Sequence, residues 1–150
     1  MRDYLINDFT NPTFQLAFKK YFEELNITVD DWEELFKEMN DDSGNLAFLR
    51  LSADEEIVGF IQFKIDILKN WFLEEKYGFI REFWIDVKYR NEGHGANLLN
   101  LVENYLKEEN IHKSLLTTDT APNFYIKQGY WKDSSYNAIN KCDVFVKTIK

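Results

Sequence analysis

Apolar residues recur along this chain with two periods, and the switches between them divide it into helical and extended segments. Residues 3–7 read as a short first strand. From Thr13 onward Phe14, Phe18, Tyr21 or Phe22, and Leu25 follow helical spacing. A second helix is predicted with Asp30 as its cap and Glu33 three residues on, and with Trp32, Leu35, Phe36 and Met39 as one apolar stripe. The period then shortens. Residues 46–51 and 57–68 read as strands around a turn at 52–56, and in the longer one Phe63, Ile65 and Ile67 alternate with Gln62, Lys64 and Asp66, which buries one face. A connection at 70–76 leads to a β-rich run at 77–87. Leu98, Leu99, Val102, Tyr105 and Leu106 then mark an amphipathic helix ending near Asn110. A strand at 114–118 precedes a helix that Asp119 or Thr120 can cap, with Pro122 in its first turn and Gly129 at its end. A closing strand at 142–149 completes the order β-α-α-β-β-β-α-β-α-β, to which a short strand at 130–132 can be added. That order predicts an α/β (α+β) fold, a mixed sheet with helices on its faces. No Pro/Gly/Ser-rich linker or repeat divides the chain, so one domain over residues 1–150 is expected.

Composition narrows the classes of function. Aromatic residues make up 17% of the chain, 13 of them Phe, which predicts a bulky core. No apolar run approaches the ~18 residues of a membrane span, and the N-terminus lacks the apolar stretch of a signal peptide. A single cysteine, Cys142, excludes an intramolecular disulfide and suits a reducing cytoplasm. The net charge of −8 argues against nucleic acid as the main partner and favours a cationic ligand or simple solubility. His94, His112 and Cys142 have no metal-ligand spacing, so no metal is predicted. Cys142 is expected to open the last strand as a buried small hydrophobe, and His112 to be structural or exposed.

The segment between the third long β run and the following helix holds the candidate chemistry. In Arg90-Asn-Glu-Gly93-His-Gly95-Ala96, two glycines stand at the junction of a strand and a helix N-terminus. The first helical turn leaves backbone N–H groups unpaired, and the aligned peptide dipoles add partial positive charge there. Glycines let such groups approach a phosphate without an intervening Cβ, so the loop is a candidate anion site with donors from Glu92 to Asn97. An ordinary turn that requires positive φ is the alternative. A dinucleotide fingerprint fails at Leu98, where a third glycine is needed, and a Walker A loop fails at Ala96-Asn97.

Arg-x-x-Gly-x-Gly before an apolar helix resembles the acyl-CoA-binding motif of the GCN5-related N-acetyltransferases (GNAT). "EFWIDVKYR" resembles the fourth strand of that family, and Ala121-Pro-Asn-Phe-Tyr125-Ile-Lys-Gln-Gly129-Tyr130 resembles its A-x-x-x-Y-x-K-x-G-F stretch. The resemblance is best over residues 56–130 and implies the GNAT fold, a mixed and mostly antiparallel sheet flanked by helices. It implies an acetyl-CoA-dependent N-acyltransferase with no metal. The coenzyme pyrophosphate would lie on the loop N–H groups of Asn91, Glu92, Gly93, His94, Gly95, Ala96 and Asn97, and Arg90 would fix the loop or neutralise phosphate. Pantetheine would pair with the backbone from Phe83 to Val87, and an N–H near Trp84 or Ile85 would face the thioester carbonyl. Tyr125 corresponds to the family's proton donor to the leaving thiolate, with a core tyrosine as the alternative. Glu82 is the first candidate for the base, with Asp86, on the same strand face, and ordered water as rivals. His94 could point to phosphate or face solvent as a spacer. Two positions depart from the family pattern: Thr118 stands where many members have Asn, and Val87 where many have Pro.

The implied reaction moves acetyl from acetyl-CoA to a primary amine by direct attack in a ternary complex. The acceptor would be a small molecule (a polyamine, an amino acid or an amino sugar) or a peptide, and Trp32, Phe36, Trp71 and Phe72 could line its side. Neither nucleic acid nor membrane is expected as a partner, and a homodimer is compatible with the family. The competing reading is a CoA-binding sensor or interaction module on the same fold.

Overall fold

The computed structural model describes residues 1–150. One seven-stranded sheet runs through it in the order β1-β2-β3-β4-β5-β7-β6. Its strands are β1 (Arg2–Ile6), β2 (Asn45–Leu51), β3 (Ile57–Lys69), β4 (Glu74–Ile85), β5 (Lys113–Thr118), β6 (Trp131–Lys132) and β7 (Asp143–Thr148); the helices are α1 (Pro12–Glu24), α2 (Trp32–Asp41), α3 (His94–Glu108) and α4 (Pro122–Lys127). Every pairing is antiparallel except β4 with β5. The mixed, mostly antiparallel sheet and the order of elements match the expectation, including the short strand after Gly129.

Three boundaries moved, each for a local reason. The cap of α2 is Asp31, not Asp30: its carboxylate accepts the Glu34 N–H at 3.1 Å, and the backbone turns helical only at Trp32. The connection predicted over 70–76 shrinks to the turn Asn70–Leu73, where the Asn70 side chain accepts the N–H groups of Phe72 and Leu73 at 2.8 Å each. Glu74 to Lys76 then pair with β3 as an exposed ribbon, so no alternation of burial revealed them as strand. Neither Asp119 nor Thr120 caps α4; Thr118 Oγ1 accepts the Ala121 N–H at 3.2 Å instead.

Helices cover the sheet unevenly. On one face α1 and α2 bury Phe14, Phe18, Phe36 and Met39 against Phe60 and Trp84. Trp32 stacks on Phe36, with centroids 5.6 Å apart, and that pair packs against Phe18. On the other face α3 lays Leu98, Leu99, Val102 and Leu106 over Ile61, Phe63, Ile80 and Phe145. Full burial of side chains of this size contributes about 1.5–3 kcal/mol each. Over β4, β5 and β7, on the α1/α2 face, the small cluster of Leu115, Val144 and Val146 has only Tyr77, Phe79 and Ala138 beside it, and no helix.

Two irregularities in β4 shape the functional region. Ile61 pairs with Phe83 but Phe63 with Ile80, so Arg81 and Glu82 together oppose Gln62 in a β-bulge. Below the bulge Gly78 and Ile80 face α3, and above it Phe83 and Ile85 do. The parallel pairing of β4 with β5 is confined to Gly78–Ser114 and Phe79–Leu115, so the two strands splay apart beyond that point.

Candidate active site

The splay opens into a groove of about 970 Å³ whose wall includes Phe83, Trp84, Ile85, Arg90, Asn91, the stretch from Gly93 to Ala96, and Tyr125. Asn91 (φ 64) and Gly93 (φ 86) both adopt left-handed backbone, which curls the loop into a concave turn before α3. Asn97 donates its N–H to Gly93 O at 3.1 Å, and no acceptor in the chain takes the N–H of any residue from Asn91 to Ala96. Six consecutive backbone donors therefore stand open at a helix N-terminus. Along β4, Asp86 gives its N–H to Val58 O at 2.8 Å. The two-residue alternation of a strand turns the N–H of Trp84 the same way and leaves those of Phe83 and Ile85 facing the splay.

Side chains fix the loop from behind. Arg90 donates through Nη2 to both Glu24 oxygens at 2.7 Å and through Nε to Ile85 O at 2.8 Å. Those bonds from Arg90 hold the Glu24 carboxyl below its ordinary range. His94 is 9% exposed and turned inward, which corrects the solvent-facing alternative. Arg50 Nη1 approaches its Nδ1 at 3.1 Å and Glu92 its Nε2 at 3.3 Å, while Asp3 grips Arg50 at 2.7 and 2.9 Å. An arginine can only donate, so Nδ1 accepts and the proton sits on Nε2. The loop is thereby tied through β2 to β1.

The candidate proton carriers Tyr125 and Glu82 lie in different spaces, with Tyr21 between them. Tyr125 packs edge-on against Phe124 and Tyr130, and its hydroxyl makes no hydrogen bond within the chain. Burial pushes it up from an ordinary 10 to about 12, so it holds its proton at every physiological pH. Glu82 accepts the hydroxyl of Tyr21 at 2.5 Å, and burial together with that bond raises the tyrosine further. Tyr21 lines the first groove; Glu82 lines a second, of about 860 Å³, on the helix-free face between β4, β5 and the loop 133–142. The Tyr21–Glu82 pair thus joins the two spaces.

A model of the acetyltransferase (GNAT) family matches residues 5–130 of the chain. The chain belongs to the GNAT acetyltransferase family. Solved structures agree on the fold. A GNAT-family acetyltransferase from Staphylococcus aureus Mu50 is 22% identical, with a TM-score of 0.69 over 99% of this chain and 100% of its own. An aminoglycoside 6′-N-acetyltransferase complexed with coenzyme A is 17% identical, with a TM-score of 0.71 over 100% and 98%. Arabidopsis thaliana NAA60 in complex with acetyl-CoA is 15% identical, with a TM-score of 0.69 over 99% and 98%. No curated protein matches the chain in sequence.

Against that GNAT frame, most of the residues singled out in the sequence converge. Phe83, Trp84, Ile85, Arg90, Asn91, Gly93, His94, Gly95, Ala96 and Tyr125 line the first groove, whereas Val87, Glu92, Asn97 and Thr118 lie outside its lining. Asn97 and Thr118 already serve as donor to Gly93 and acceptor from Ala121. Trp84 gives its indole N–H to Glu24 Oε1 at 3.3 Å. Asp86 lies past the end of β4 and caps a 3₁₀ turn at Val87–Tyr89 by accepting the Lys88 N–H, which separates it from Glu82. His112 bonds the carbonyl of Ile149, and Cys142 is half-buried just before β7, not within it. Trp32 and Phe36 are core, and Trp71 and Phe72, at 97% and 92% exposed, project from the β3–β4 turn, so none of the four lines the second groove. Sequence reading missed Tyr21 and Glu24, which come from the last turns of α1; only the helical phase of Tyr21, shared with Phe14 and Phe18, hinted at an inward face.

Gly95 allows a test that separates folding from ligand approach. A Cβ there would meet Phe124 and Phe83 at 3.5 Å or more, an ordinary contact, and its φ is not positive. The fold does not need a glycine in this helical turn, and alanine is favoured there by up to ~1 kcal/mol. Gly95→Ala should raise the melting temperature while weakening acetyl-CoA roughly tenfold in calorimetry, about the loss of one backbone–phosphate bond.

Proposed function

We propose that this protein transfers an acetyl group from acetyl-CoA to a primary amine by direct attack in a ternary complex. What carries the reading is the row of six open backbone donors beside splayed strands. The groove residues fit such a ligand: Asn91 to Ala96 would hold its pyrophosphate and Phe83 and Ile85 its pantetheine arm. When bound, acetyl-CoA supplies an activated acyl carbon and a thiolate leaving group.

The chain's own residues divide the remaining work. The Ile85 N–H, directed across the splay, would receive the carbonyl oxygen as negative charge grows on it, a contribution of about 3 kcal/mol in comparable sites. Glu82 would take the proton that the ammonium group must lose before its lone pair can attack, with Tyr21 holding the carboxylate in place. Tyr125 would give its proton to the departing sulfur, and its free hydroxyl suits that part. Steady release of free CoA thiol with a primary amine would distinguish this activity from a sensor that binds without turnover.

Glu82→Gln keeps the size of the side chain and an acceptor for Tyr21 but removes the charge. It should lower kcat/KM by about 10²–10⁴, the usual worth of a general base, with acetyl-CoA affinity unchanged by calorimetry. Undiminished turnover in this variant would assign the proton to water.

A further inference from the structure

The second groove carries a charge pattern that selects among primary amines. Its floor is bare sheet at Phe79, Leu115 and Val144. One bank is the β3–β4 ribbon at Ile67 and Leu68, and the other is the 133–142 loop at Ala138 and Ile139. Four charged side chains line it: Glu75, Arg81, Glu82 and Lys113. Three have partners of opposite charge. Lys113 lies 3.5 Å from Glu75 and donates to the Tyr136 hydroxyl at 3.0 Å, and Arg81 lies 2.9 Å from Asp42. Glu82 alone makes no ion pair, and its partner is the hydroxyl of Tyr21. The chain's net charge of −8 is therefore not gathered where the acceptor would lie.

We infer that the acceptor is a monoamine carried on an uncharged, apolar body. This rests on the acetyl-transfer reading above and narrows it. One ammonium group finds one carboxylate that makes no ion pair, Glu82. A second would be stripped of water against aliphatic walls, or would face Arg81 and Lys113, because the other carboxylate of the lining, Glu75, is already paired with Lys113. Apolar walls reward an aryl or alkyl group in proportion to the area they cover. The same chemistry is offered by a small arylalkylamine and by the N-terminal amine of a peptide that begins with an apolar residue.

The test uses adducts in which an acetyl bridge joins the sulfur of CoA to the amine nitrogen of phenethylamine, of the peptide amide Phe-Ala-Ala, or of spermidine. Calorimetry on the whole protein should find at least one of the two apolar adducts about tenfold or more tighter than the spermidine adduct, the effect of roughly 55 Å² of apolar surface leaving water. Their own order tells a small amine from a peptide. Leu68→Glu/Ile139→Glu changes two exposed bank residues, 54% and 104% accessible, and should erase or reverse the preference without loss of fold. Equal affinities, tighter spermidine, or a preference that survives in the variant would overturn the inference while leaving acetyl-CoA binding intact. If neither acetyl-CoA nor any adduct binds, the underlying reading fails and the inference falls with it.

Discussion

Gly93→Val is expected to abolish saturable acetyl-CoA binding in a protein that still folds. The reason is backbone geometry and not crowding, because a Cβ at Gly93 would meet nothing within 4 Å. Its φ of 86° is the difficulty, since a β-branched residue pays heavily for left-handed backbone. Strain of this kind costs on the order of 1–3 kcal/mol, and the loop can escape it only by uncurling. Uncurling would rearrange the six open N–H groups, and each bond to a charged oxygen is worth about 1.5–3 kcal/mol. Affinity should fall at least about a hundredfold, or ~2.7 kcal/mol, with a modestly lowered melting temperature. Gly93→Ala should fall between the two. A valine variant that binds acetyl-CoA as the parent does would show that the loop is a turn and nothing more.

Tyr125→Phe should cut kcat by about 10²–10⁴ while acetyl-CoA affinity and stability hold. The substitution is clean because the hydroxyl has no partner in the chain, so no internal hydrogen bond is lost and no group is left unsatisfied. The pH dependence follows from burial. A tyrosine raised from 10 to about 12 favours the folded state fully below pH 10, and that contribution is lost as the pH climbs towards 12. Proton donation by Tyr125 therefore imposes no alkaline fall in kcat below about pH 12. The variant should lower the plateau of the kcat–pH profile without changing its shape. An unchanged plateau would reduce Tyr125 to a packing residue.

Legibility in the sequence followed the range of the interactions. The period of apolar residues marked the long helices and strands, because each buries one continuous face. The glycine loop was readable because its chemistry is contained within Arg90 to Ala96. The bulge at Arg81–Glu82 was not, since it exists only in register with β3. Tyr21 could not be paired with Glu82, 61 residues away, nor could the inward turn of His94 be foreseen without Arg50 and Asp3. The second groove was hidden for the same reason: its floor, ribbon and loop come from four separate segments. Trp71 and Phe72 had suggested an acceptor wall by residue type, yet a tight turn at Asn70 carries them into solvent.

The bulge also gives β4 two independent reading frames. Upstream of it the side chains of Tyr77 and Phe79 belong to the second groove and those of Gly78 and Ile80 to the packing of α3; downstream, Phe83 and Ile85 take the α3 side and Glu82 and Trp84 the other. Changes at positions 77 and 79 can remodel the groove floor without touching the residues beside the glycine loop. A lineage of such enzymes could drift in substrate on one half of a single strand while its other half stayed under constraint. Loss of one residue at the bulge would merge the two frames into one regular alternation, with Ile80 still opposite Phe63 and Phe83 still opposite Ile61.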